Sequence, residues 1–253
     1  MRRVLVAVLA AVVAAGAMSN AVLAQVKVGE LEVSTSESRD DAVTYVPVGT
    51  TSVFVIFDYE NAANHRIGVT IEGFGIDNIF TQSERYDGDG EAVVEVTGTQ
   101  MFQSLADSME REAEAVQGNV KKAAEQEIGR IDYLQAVQAA TYKMGATLSL
   151  LDSLELDDTQ TGFIDDVRTI VDVLDEAVGE ALDTDIDDAE RQSRAAALET
   201  TADDLYAATL ALSTDAEFVA DVEIPTTGTD SAYTVQVSVT STPADSTEFY
   251  VVK

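Results

Sequence analysis

The 253-residue chain has no cysteine and no tryptophan, one histidine, three prolines and five lysines. Without cysteine there are no disulfides, no thiol catalysis and no lipid anchor on an N-terminal cysteine. One histidine, His65, and no thiol leave carboxylates as the available metal ligands, which excludes a Cys/His zinc site and points to harder cations. His65 stands in the turn-like Ala63-Asn64-His65-Arg66, and no Gly-x-Ser-x-Gly elbow accompanies it, so a serine triad is not indicated. A sugar-binding platform built on tryptophan is excluded too. Between Pro47 and Pro225 no proline forces a break in any helix.

Acidic residues are abundant: 46 Asp and Glu face 15 Lys and Arg, a formal net charge of −31. No run of basic residues offsets this field, so nucleic acid and anionic lipid surfaces are not expected partners. The charge suits solubility, cation association or life in high salt, where screening relieves self-repulsion. At the N-terminus, Arg2 and Arg3 precede an apolar run, and Val22-Leu23-Ala24 stands before Gln25. This is the pattern of a Sec-type signal peptide over residues 1–24, cleaved after Ala24, and it places the mature chain in a secreted, periplasmic or cell-surface compartment. The run is shorter than the roughly 20 residues that span a bilayer, so no membrane span is expected after cleavage.

Residues 100–213 read as helix almost throughout. Phe102, Leu105, Met109, Ala113, Val116, Val120, Ala124, Ile128, Ile131 and Leu134 follow one another in steps of three and four and form one stripe. Val137, Met144, Leu148 and Leu151 continue it. Residues 156–162 have turn and cap chemistry, after which Ile164, Val167, Val171, Leu174, Val178 and Leu182 open a second stripe. It runs on through Ile186 and Ala189 to Leu198, Ala202, Leu205, Thr209 and Leu212. Two uninterrupted arms of about 50 residues would each reach roughly 80 Å and make an antiparallel hairpin with its tip near residues 156–163. The rival is a small bundle of four shorter helices, broken at a glycine and near Thr184.

The flanks read as β-structure. Residues 52–59, Ser-Val-Phe-Val-Ile-Phe-Asp-Tyr, carry apolar side chains on both faces and predict a strand covered on both sides, by a facing sheet and by the base of the helical insert. Ile67, Val69 and Ile71 alternate with smaller or polar residues, and Asp87-Gly88-Asp89-Gly90 is a hairpin turn between residues 78–86 and 91–97. After the helices, residues 218–224, 233–239 and 249–252 read as three further strands. Three short strands are a poor independent unit, so they are expected to join the early ones. The resulting fold class is α+β: an immunoglobulin-like or jelly-roll sandwich of 7–8 strands, discontinuous over residues 25–99 and 214–253, with residues 100–213 inserted.

Two acidic clusters are the candidate metal sites. Asp87, Asp89 and Glu91 surround a glycine loop and suit weak calcium binding; Asp183, Asp185, Asp187 and Asp188 form the second cluster, without an EF-hand pattern. No catalytic residues and no cofactor other than calcium are indicated, and with so many acids a paired-carboxylate hydrolase is a remote third reading. The leading expectation is a non-enzymatic interaction module whose sandwich carries a helical projection. Leu156, Thr159 and Phe163 would be its partner-binding residues, at the tip. The alternative is a self-assembling matrix or filament subunit whose first strand, residues 25–34, completes a neighbour's sheet. The layout of signal peptide, glycine-interrupted first strand and sandwich with inserted helices resembles that of secreted matrix-fibre subunits, with no distinctive residue string in common.

Overall fold

The computed structural model describes residues 26–74, 76–154, 156–216, 219–226 and 230–252, and only the backbone of Asp77 and Asp230. The expected signal segment lies outside the described residues. The fold is α+β, with eight strands in two sheets and a helical part between the sixth strand and the seventh. The strands are β1 (Lys27–Ser34), β2 (Tyr45–Pro47), β3 (Ser52–Glu60), β4 (His65–Gly73), β5 (Ile76–Tyr86), β6 (Gly90–Thr97), β7 (Asp230–Val239) and β8 (Thr242–Val252).

One sheet has the order β1-β3-β6 and the other β2-β8-β7-β4-β5. Two pairings tie the chain ends together: β4 runs antiparallel to β7, with Val69 opposite Val237, and β2 runs parallel to β8. Strict alternation places Val53, Val55 and Phe57 of β3, Ile67, Val69 and Ile71 of β4, and Tyr233, Val235 and Val237 of β7 in one shared core. Phe57 meets Tyr86 edge-on across the two sheets, with centroids 6.1 Å apart. Tyr233 stacks on Phe249 at 4.9 Å, and Phe74 meets it edge-on.

Two strand expectations are corrected. Residues 219–226 are irregular and not a strand; Phe218 lies outside the described residues. This segment instead crosses the first turn of the first helix, burying Val222 and Ile224, with Ile224 N–H donating to Thr50 O. Its partner there is Gly98, where a Cβ would sit 2.2 Å from Val222 O, so a side chain cannot be accommodated. The second correction concerns the outer face of β3. Ile56 is fully buried there, but the helices do not cover that face; it is spanned by the side chain of Arg39, from a 3-10 turn at Arg39–Asp41. Arg39 pairs with Glu32 of β1 at 3.2 Å, Asp58 of β3 at 2.8 Å and Glu91 of β6 at 2.7 Å, and donates to Glu30 O.

The helices are α1 (Gly98–Glu125), α2 (Arg130–Leu151), α3 (Asp158–Ala181), α4 (Asp188–Ala197) and α5 (Glu199–Ala216). α4 and α5 meet at Leu198 and act as one arm, so the helical part is a bundle of four arms, in which α1 packs on α2 and α5, and α3 on α2 and α5. The long hairpin is therefore replaced by its rival, because each expected arm folds back on itself. In the first, helix stops at Gln126 and restarts after Gly129, whose φ of +81° is left-handed. In the second, residues 183–187 form the break, and Asp187 caps α4 by accepting from Glu190 N–H. Two buried arginines close this distal end. Arg130 donates to Ala123 O and pairs with Asp188; Arg191 donates to Ala181 O and Asp183 O. Starts are capped as well: Thr97 and Gln100 form a capping box for α1, and Asp157 accepts from Thr159 N–H and Gln160 N–H of α3. No described helix is long and apolar enough to cross a membrane.

Candidate functional site

With four arms in place of two, the loop between α2 and α3 lies at the sheet end of the bundle, not at its tip. Ser153 Oγ accepts from Thr226 N–H, and Gln160 Nε2 donates to Asp215 at the last turn of α5. The three expected partner-binding residues therefore separate in role. Leu156 is half-buried against the core, and Thr159 is exposed in the first turn of α3, its N–H held by Asp157.

Phe163 sits differently. The buried face of α3 runs through Gln160, Ile164, Val167, Val171, Leu174 and Val178, and Phe163 stands at the edge of that face, half-buried. There it lines an open depression of about 390 Å³ with Ala207, Leu210, Ala211 and Thr214 of α5. Leu210 is 41 % exposed. Along α3, Ile170 and Ala177 follow Phe163 at seven-residue intervals, both half-buried, and Val173 beside them is 52 % exposed. The result is an apolar flank with an acidic, hydrogen-bonded margin, where Asp215 is held by Gln160. Such a surface can receive an apolar side chain or helix face.

Leu210 was not singled out from the sequence, although a signal existed. The buried stripe of α5 is Ala202, Leu205, Thr209 and Leu212, and Leu210 is a large apolar residue off that stripe. At the distal end Ile128 is 90 % exposed and Ile131 46 %, so the two residues counted into the first stripe in fact stand outside it.

The acidic clusters have other partners. Asp89 accepts from Asn61 N–H at 2.8 Å and Glu91 is held by Arg39. Asp183 accepts from Asp185 N–H, Asp187 caps α4, and Asp188 pairs with Arg130. Among the described residues no three Asp, Glu or His side chains are grouped to hold a metal ion. His65 begins β4, exposed, with its ring against Ala62 O. Comparison with known proteins returned no matching family model, curated protein or solved structure.

Proposed function

We propose that the chain is a secreted or surface-displayed, non-enzymatic interaction module, in which a two-sheet base carries a helical bundle that receives a protein partner. The observation that carries this reading is the open apolar flank of Phe163 and Leu210 on a molecule of net charge −31. Large apolar groups left in water on one side of a packed pair of helices suit an amphipathic helix presenting anchors at three- and four-residue spacing. Leu210→Glu tests it: partner capture on the native cell surface should be lost while the unfolding free energy in urea stays within about 0.5 kcal/mol of the parent. A photo-crosslinker at position 210 should give one discrete adduct, and the same group at Asp166 none. Equal loss of stability and binding would make Leu210 a packing residue only.

For the base we propose an immunoglobulin-like sandwich formed by residues 25–99 and 214–253, with the bundle as an insertion. Support comes from the strand order, with the first stretch divided between sheets: β1 joins β3 and β2 joins β8 in parallel. A second reading, assembly by strand exchange, rests on β1. It is an edge strand with a register break between Gly29 and Glu32 and with only Val33 and Ser34 fully buried. Deleting residues 25–34 should abolish polymers on size-exclusion chromatography and leave a folded monomer; polymers that persist would rule strand exchange out.

A further inference from the structure

The outer face of the five-stranded sheet holds a feature that the fold does not use. Arg66 of β4 and Arg85 of β5 are direct cross-strand partners, and both are exposed. Arg66 approaches Ser83 Oγ at 3.4 Å and Arg85 donates to Asn64 O at 3.0 Å. Among the described residues neither lies within ion-pair distance of a carboxylate, in a chain with 46 acids. Like charges directly opposite one another on a sheet oppose folding. The sequence has no basic run; strand pairing creates this one.

Beside the pair the sheet sinks into a trough of about 540 Å³. Its floor is Gly68, where a Cβ would come 3.2 Å from Ser238 Oγ and 3.5 Å from Ser83 Cβ. Thr81 and Gln236 flank it, so hydroxyls and an amide that donate and accept surround the two guanidiniums.

We propose that this trough binds an anionic saccharide chain, with a carboxylate or sulfate between Arg66 and Arg85 and the sugar hydroxyls on the Ser, Thr and Gln bed. A guanidinium fork matches the paired oxygens of either anion. An acidic peptide fits less well: the floor strands β4 and β7 are hydrogen-bonded on both sides, the free edge of β5 lies at the rim of the trough and not on its floor, and no large apolar side chain lines it.

The test is calorimetric titration of the chain at low ionic strength with polygalacturonate, dextran sulfate, neutral dextran and poly-glutamate. One or both anionic glycans should bind, neutral dextran should not, and poly-glutamate should bind about tenfold more weakly or not at all. Which of the two glycans binds separates carboxylate from sulfate. The double variant Arg66→Ser/Arg85→Ser should lose about tenfold in affinity or more, whereas Arg111→Ser should lose none. The double variant should keep a cooperative urea transition, so that its lost affinity reports the trough and not unfolding. Absence of glycan binding, poly-glutamate binding as tight as either glycan, or undiminished binding by the folded double variant would each overturn the proposal.

Discussion

Arg39 is the counterion for three strands at once, and its removal would leave Glu32, Asp58 and Glu91 facing one another beside Ile56. Those carboxylates raise its pKa against the lowering effect of burial. The side chain is partly exposed, so Arg39→Ala should cost about 1 kcal/mol in dilute buffer and less as salt is added. Urea melts at several NaCl concentrations would check this; a cost independent of salt would mean lost packing over Ile56. Tyr233 makes a different prediction. Burial raises its hydroxyl well above the ordinary value of 10, and the hydroxyl donates to Pro225 O. In the unfolded chain the phenol ionises near pH 10, while the folded one keeps its proton. The folded state therefore binds more protons, and stability, complete below pH 10, should fall as pH rises above it. Tyr233→Phe should flatten that alkaline decline in Tm and cost about 1 kcal/mol at neutral pH for the lost hydrogen bond.

Among the elements, the contact between Gly98 and residues 222–223 has the least tolerance. Gly98→Ala would put a methyl group 2.2 Å from Val222 O, and either α1 or the crossing segment must move. A loss of about 2 to 3 kcal/mol in urea unfolding is expected, and a change under about 0.5 kcal/mol would show that the segment yields freely. The helix faces themselves were legible: Phe102, Leu105, Met109, Ala113, Val116 and Val120 are all buried, as their spacing indicates. The turn after Glu125 was not. Ile128 and Ile131 keep the helical phase without being buried; the helix ends at Gln126, whose backbone is extended, and the next begins after the left-handed Gly129, and composition does not say at which of the glycines such a break falls. That turn decides where the tip lies, so the helical spacing alone puts Leu156, Thr159 and Phe163 at the wrong end of the bundle and does not bring Leu210 beside Phe163. Residues 218–224 alternate like a strand, yet the described part, residues 219–224, has no strand partner beside it: β4 and β8 already occupy both edges of β7.

At the scale of the whole molecule, charge dominates. With a net charge of −31, stability should rise with NaCl as screening relieves self-repulsion. Urea is the denaturant of choice for showing it, because guanidinium is itself a salt. Calcium chloride at matched ionic strength should raise Tm no further than NaCl does, since Asp89 and Glu91 are engaged by Asn61 and Arg39. A saturable extra rise would establish Asp87, Asp89 and Glu91 as a calcium site. That early and late strands combine was readable from the shortage of strands at the C-terminus; which strand lies beside which was not, because side-chain alternation fixes faces and not neighbours.

The touching of Gly98 and Val222 means that the bundle enters and leaves through a single doorway. β4 meets its neighbour β7 only across more than a hundred intervening residues, and the packed bundle holds the two halves of the sheet within reach of each other like a clasp. For the same reason, a few flexible residues spanning that doorway should suffice to replace the whole bundle and leave the base able to close by itself.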